Sequence, residues 1–265
     1  MPQSRFADAR TAEPSRVAVV AHTRWQTLGT LEPILSPACS LVWLPVREGV
    51  LAYRRAVTGL LEDGGMDALV MLDGPQRVVR LAEDEVLQES LRLLKAARKA
   101  DVPILGVGLG AELLAFALGA QVWEGRTRGR EKELGWVRVD LTERGRVDPG
   151  LRGFHELEPV FAWHEDSFDL PEGAWRLASN RHYPTQAFRH GRWRYGIEFH
   201  LEVTAQMVAE WVDRYMSRPG CEYRGADLDE IVQKAARYCV RLEEKAQVLG
   251  RHFLWLMGQS RLEKG

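Results

Sequence analysis

The residues best equipped for chemistry fall in four short stretches. His200 and Glu202 stand two positions apart at the end of an apolar run, so an extended backbone projects both side chains to one side. An imidazole beside a carboxylate is a base with a fixed tautomer. Residues 103–107 read as a short buried strand opened by Pro103. That strand passes through Gly106, Gly108 and Gly110 into 111–119, which has helical composition and a glycine stop. A strand turning sharply into a helix through such glycines has the form of a nucleophile elbow, whose central residue is ordinarily Ser or Cys. Here the centre is Gly108, which tolerates the positive φ of the turn and supplies no reactive atom. Asp73-Gly74-Pro75 closes another apolar run, and His164 and Asp166 close a further one. The chemistry suggested is acyl transfer, which needs a nucleophile, a base, an orienter and an oxyanion hole. Base and orienter are present and the nucleophile is missing. The glycine run lacks the Lys-Ser/Thr ending of a phosphate loop and the later spacing of a dinucleotide fingerprint.

The elements that must position these groups follow from periodicity. Apolar runs at 16–22, 40–45 and 66–72 read as buried strands, with an amphipathic helix over 83–100 before the elbow strand. A loop over 23–35 leads into a helix. Strands separated by helices predict a doubly wound, mostly parallel sheet with ligands at the carboxyl ends of its strands, a flavodoxin-like α/β fold. From 121 to 200 the pattern changes to short strands and turns. Residues 135–141 and 193–199 alternate with period two, which predicts an antiparallel extension folded back over the site. In the tail, Leu228, Val232, Ala235, Cys239, Leu242, Ala246, Leu249, Phe253 and Leu256 recur at spacings of four and three, an apolar stripe along a long helix over about 227–257. Gly250 is expected to weaken or break that helix. The stripe either packs on its own domain or docks on a protein partner or second copy.

Several of these stretches resemble the class I glutamine amidotransferases. Ile104-Leu105-Gly106-Val107-Gly108-Leu109-Gly110-Ala111-Glu112 is similar to the family's Gly-Ile-Cys-Leu-Gly-His-Gln elbow, with Gly108 at the catalytic cysteine, Ala111 where His is frequent and Glu112 where Gln stands. Met71-Leu72-Asp73-Gly74-Pro75 resembles its Gly-Gly-Pro oxyanion loop. Phe161-Ala162-Trp163-His164-Glu165-Asp166-Ser167-Phe168-Asp169-Leu170-Pro171 resembles its Trp-His-Gly-Asp-Thr-Phe-Asp-Leu-Pro stretch. Tyr195-Gly196-Ile197-Glu198-Phe199-His200-Leu201-Glu202-Val203-Thr204 resembles its Tyr-Gly-x-Gln-Phe-His-Pro-Glu-Val-Thr ending. The likeness runs over residues 16–215.

The resemblance implies that His200 is the base and Glu202 its orienter. It implies oxyanion donors in the backbone N–H groups of Gly74 and Leu109, and a substrate pocket that includes Asp73, Glu112 and His164. Asp73 stands where glycine is usual, and a carboxylate opposes a developing oxyanion. Glu112 replaces an amide that donates and accepts with an acceptor-only group. His164 reads equally as a loop positioning residue and as a catalytic one. Thr23, Thr27, Thr30 and Cys39 cannot be placed near His200 from sequence. Deleting the nucleophile of a triad hydrolase removes on the order of 10⁶ in turnover. The function expected is therefore a protein of this family without glutaminase activity, serving as a ligand-binding or regulatory partner subunit. One alternative is a hydrolase or transferase using His200 and Glu202 on a substrate other than glutamine. Another is the amidotransferase component of a synthase, with a borrowed nucleophile.

Composition sets outer bounds. The chain has 265 residues, 45% apolar and 28% charged, with a formal net charge of −1, ordinary values for a globular protein. No charge excess points to nucleic acid or acidic lipid. No apolar run approaches the roughly 20 residues of a membrane span. Residues 1–15 read as a disordered polar leader, 16–217 as the amidotransferase-like domain and 226–258 as a helical appendage. Cys39, Cys221 and Cys239 have no paired or metal-ligand spacing and read as buried thiols of a cytoplasmic protein. Trp25, Trp123, Trp136 and Trp163 read as core or pocket wall. No cofactor or metal is expected, and the ligand suggested is a glutamine-like small molecule.

Overall fold

The computed structural model describes residues 14–155, 158–216 and 225–264. Its strands are β1 (Ser15–Val20), β2 (Cys39–Leu44), β3 (Ala68–Met71), β4 (Ile104–Val107), β5 (Val122–Glu124), β6 (Glu133–Leu141), β7 (Glu158–His164), β8 (Asp166–Phe168), β9 (Ala174–Ser179), β10 (Ala187–His190) and β11 (Arg194–Ile197). Its helices are α1 (Glu32–Leu35), α2 (Val50–Glu62), α3 (Glu85–Lys99), α4 (Leu109–Ala117), α5 (Glu143–Val147), α6 (Ala205–Met216) and α7 (Gly225–Lys264).

Val17 to Val20 are wholly buried, and their alternation divides them between two cores. Val17 and Val19 join the cluster holding α6 and α7, while Ala18 and Val20 join the cluster of Tyr53, Leu87 and Leu113 from α2, α3 and α4. A strand covered on both faces needs apolar residues at every position, as in a parallel sheet. The sheet has nine strands in the order β2-β1-β3-β4-β11-β10-β9-β6-β7. Its first five strands are parallel neighbours and the rest pair antiparallel. The doubly wound core, the antiparallel extension and the long final helix all match the sequence expectation. β5 and β8 form a separate two-stranded sheet.

Local signals fix the element ends. The Asp84 carboxylate accepts from the Val86 and Leu87 N–H groups at 2.9 and 3.0 Å, so α3 starts at Glu85. The tail departs from expectation at Gly250. Helix α7 runs unbroken through it for 40 residues. A Cβ at Gly250 would lie 3.2 Å from two side-chain carbons of Ile34, so the missing side chain lets α7 cross close to α1. Packing overrides a helix-propensity cost of about 1 kcal/mol. Leu228, Ala235, Cys239, Leu242, Ala246, Leu249, Phe253 and Leu256 are buried within the same cluster as β1 and β3. The stripe is thus covered by its own chain, and docking of a partner or second copy along it is corrected. Val240, Trp255 and Leu262 stay exposed on the outer side. Cys39 and Cys239 are buried and unpaired, whereas Cys221 and residues 1–13 lie outside the described residues. No helix among the described residues is long and apolar enough to cross a membrane.

Candidate active site

The turn from β4 into α4 sets the site. Gly108 has φ 55° and ψ −121°, a conformation that side chains with a Cβ rarely adopt. The Gly108 N–H donates to the Ile197 carbonyl at 2.9 Å and its carbonyl accepts from Ala111 at 2.8 Å, which pins the elbow between β11 and α4. The next N–H, on Leu109, points at the loop leaving β3. There it meets Asp73, whose Oδ1 accepts at 2.8 Å. The Gly74 N–H also supports this carboxylate. Both backbone donors expected to hold an oxyanion therefore face a side chain of the protein itself. A Cβ built on Gly108 would lie 2.5 Å from Asp73 Oδ1.

Just past β11, His200 and Glu202 close the other side. His200 Nδ1 lies 2.8 Å from Glu202 Oε1, and Nε2 lies 3.7 Å from Asp73 Oδ2. The ring is fully buried against Phe161 and Trp211, with centroids 6.1 and 5.0 Å away. The His200 backbone N–H donates to the Phe161 carbonyl at 2.8 Å, and the Glu202 carbonyl accepts from Thr30 at 2.9 Å. Burial disfavours a charged imidazole, yet the carboxylates of Glu202 and Asp73 outweigh it and raise the His200 pKa above its ordinary value. Burial likewise raises the Asp73 carboxyl, against the pull of His200 and the two N–H groups. Gly108, Leu109, Gly74, Asp73, His200 and Glu202 thus converge on one point.

Glu112 sits one turn into α4 beside Glu198, and both are buried. Burial, Asp166 and Asp73 push both carboxyls well above the usual range, and the Glu112 charge adds to the rise at Glu198. His164 is at the end of β7 rather than in a loop, and Asp166 opens β8. His164 Nε2 lies 3.0 Å from Glu133 Oε2, and Nδ1 lies 2.9 Å from the Asp166 carbonyl and 3.5 Å from Glu198. Glu133 also accepts from Asn180 and Gln186, at 2.9 and 2.8 Å. The extension therefore reaches the elbow through a buried polar chain.

A cleft of about 180 Å³ opens over this point. Asp73, Gly74, Leu109, Glu112 and His164 line it, with Trp25, Trp163, Trp211 and Tyr215 as an aromatic wall. Arg77 reaches in but is held by both Asp166 oxygens, by Glu124 at 3.4 Å and by Glu165 at 3.7 Å. Trp25 and Trp163 answer the pocket-wall expectation. Sequence reasoning missed Glu198, although Glu for Gln in the Tyr-Gly-x-Gln segment was a visible signal. It also missed Arg77, Glu133, Lys132 and Arg214, which carry no motif. Of the four hydroxyl and thiol groups that sequence could not place, Thr23 lines the cleft with no partner for its Oγ1 among the described residues, and the other three are engaged elsewhere. Thr30 Oγ1 donates to the Leu201 carbonyl at 3.2 Å, Thr27 Oγ1 to Met207 Sδ at 3.6 Å, and Cys39 on β2 donates to Leu35. Among the described residues, no group of three His, Cys, Asp or Glu side chains is arranged to hold a metal ion. The geometry offers an oriented base, an oxyanion cradle filled by Asp73 and an acid-rich floor.

Fold and site together define a hydrolase-type elbow on a doubly wound sheet, and comparison with known proteins gives that class its family. The family model described as Glutamine amidotransferase class-I matches residues 46–211, and the chain belongs to this family. The chain is 29% identical over 199 residues to the glutamine amidotransferase-like protein YfeJ of Salmonella typhimurium, covering 73% of this chain and 78% of that one. It is 32% identical over 149 residues to the glutamine-hydrolyzing GMP synthase of Phenylobacterium zucineum, 56% of this chain and 26% of the relative. The chain therefore spans only about a quarter of that synthase. A solved glutamine amidotransferase of Thermotoga maritima superposes with a TM-score of 0.75 at 26% identity, covering 91% of this chain and 98% of that one.

Proposed function

We propose that this protein is a class I glutamine amidotransferase-like binding or regulatory subunit without glutaminase activity, acting in the cytoplasm. The observation that carries this is Asp73, whose carboxylate sits on the Leu109 N–H and faces the Cβ-less Gly108 at the elbow. A substrate carbonyl needs that N–H in the transition state. A negative charge already there repels the developing oxyanion, and Gly108 supplies no thiol to begin the attack. The functional unit is taken as residues 16–217, with the helix of 226–258 bracing it. Purified protein is expected to release no ammonia from glutamine above buffer, in a coupled glutamate dehydrogenase assay. Release that His200→Ala abolishes would overturn the proposal.

A second reading draws on the 2.8 Å contact between His200 and Glu202, a base–orienter arrangement intact despite the missing thiol. It makes the site a hydrolase or transferase for another amide or ester, attacked by water. A panel of activated esters with the unmodified protein and His200→Ala separates this from pure binding. A protein partner is part of either reading, because one relative carries the name of a whole glutamine-hydrolyzing synthase of which this chain matches only a part. Pull-down of a synthase by the tagged protein would support the subunit role.

A further inference from the structure

The cleft leaves three buried oxygens open. Thr23 Oγ1, Gln26 Oε1 and Gln76 Oε1 are buried without a hydrogen-bond partner among the described residues, and all three residues line the cleft. Thr23 and Gln26 are 6% and 7% exposed. A buried oxygen without a donor costs about 1–3 kcal/mol, so three around one cavity mark a place that a donor-rich group fills. Two carboxyls face the same space. Asp73 keeps Oδ1 on the Leu109 N–H, while the rest of its side chain remains 17% exposed to the cleft. Glu112 lines the floor beside it. Asp166 and Glu165 are already engaged with Arg77 and Glu112 is tied to Glu198, so Asp73 is the floor's most available acid.

The mouth has the opposite character. Lys132 Nζ lies over the Tyr215 ring at 5.0 Å and the Arg214 guanidinium over Trp25 at 4.7 Å. Neither pairs with a carboxylate among the described residues, and both line the cleft. The space of about 180 Å³ is below the roughly 300–1,000 Å³ of drug-sized sites, which suits an amino acid and not a nucleotide. Between floor and mouth the wall is aromatic, suited to methylene groups.

Resting on the proposed loss of glutaminase activity, we infer that the cleft binds a free amino acid whose side chain ends in a cation, a lysine- or ornithine-like molecule. Its side-chain ammonium sits at the floor among Asp73, Glu112, Thr23 and Gln26, and its carboxylate lies at the mouth by Lys132 and Arg214. An ammonium offers three donors and no acceptor, the complement of this floor. The carboxamide of glutamine brings a carbonyl oxygen toward Asp73 and is disfavoured by that charge.

The test is isothermal titration calorimetry of the full chain with L-lysine, L-ornithine, L-glutamine, L-norleucine and cadaverine. Norleucine lacks the side-chain ammonium and cadaverine lacks the carboxylate. Saturable binding of lysine or ornithine at least tenfold tighter than the other three is expected. Asp73→Asn, which keeps an acceptor for the Leu109 N–H, should weaken the lysine signal at least tenfold while the variant still unfolds cooperatively. Should that variant fold poorly, Lys132→Met at the mouth should weaken lysine severalfold while leaving cadaverine unchanged. No binding of either basic amino acid, or glutamine or norleucine binding equally well, overturns the inference. Cadaverine matching lysine overturns the assignment at the mouth. Ammonia release from glutamine is scored separately, so failure of this inference and failure of the proposed function give different results.

Discussion

Gly108→Cys is the substitution that most directly probes the elbow, and its cost can be worked out from the geometry. The new Cβ would stand 2.5 Å from Asp73 Oδ1, 2.7 Å from its Cγ and 2.9 Å from its Cβ, so the carboxylate must leave. Leaving forfeits a hydrogen bond between a charged group and the Leu109 N–H, worth about 1.5–3 kcal/mol. A side chain at φ 55° adds strain of about 1–3 kcal/mol. The single variant should therefore lose roughly 3–5 kcal/mol of stability. With Asp73→Gly already present, only the strain remains, so the two changes should couple by about 2 kcal/mol against an additivity error of about 0.5. Urea unfolding of the unmodified protein, both single variants and the double variant, followed by tryptophan fluorescence, closes the cycle. Costs that add within about 0.5 kcal/mol would show that Asp73 does not fill the space before Gly108, and would refute the reasoning. The same cycle read by ammonia release should place any regained glutaminase activity in the double variant.

Further expectations concern the buried acids and the long helix. Glu112 and Glu198 have folded pKa values above the unfolded 4.5, so the folded state binds a proton that the unfolded chain releases. Stability from this pair is complete below about pH 4.5 and falls as pH rises toward the raised folded values. Glu198→Gln should flatten that fall above about pH 4.5 in urea midpoints; an unchanged slope would contradict a raised Glu198 carboxyl. His22 behaves in the opposite sense, because burial lowers its pKa from 6.5 to about 4. Its neutral ring contributes stability above pH 6.5 that is lost as pH falls toward 4, and NMR should show the ring uncharged at about pH 5.5. Gly250→Leu should overpack against Ile34 and cost about 1–3 kcal/mol in thermal unfolding, whereas Val240→Lys on the exposed side should stay within about 0.5. Cys239, with a pKa raised to about 11 by burial, should react with a thiol reagent only on unfolding.

The parallel strands were legible because each is an uninterrupted apolar run between turn residues, and α3 because its charges and leucines keep helical spacing. His200 and Glu202 were legible because two-residue spacing at a strand end brings them together. Asp73 was readable as an obstacle, yet sequence could not show that its carboxylate turns back onto Leu109; that depends on two loops from different strands. Glu198 was visible as Glu for Gln, but its meaning was not, since that comes from Glu112 on another element. Gly250 misled because its low helix propensity is local, while the approach of Ile34 that favours it is 216 positions away, the difference between 250 and 34.

Helix α7 has a bearing on how the chain is made. Leu228, Leu242, Leu249 and Phe253 close the core face that Val17, Val19 and Val70 present from the opposite end of the sequence. Arg261 fastens to Asp67 at 3.1 Å, and Ser260 to the Asp101 carbonyl at 3.3 Å. Until the 40 residues of α7 are synthesised, that side of the central strands is covered only in part, by α1 and α6. At about 5–20 residues per second that interval is roughly 2–8 s, long against hydrophobic collapse. A nascent chain paused there exposes an apolar sheet face to whatever is nearby, so the ribosome's pace over the final helix, and any chaperone holding that face, should govern how much protein reaches the folded state.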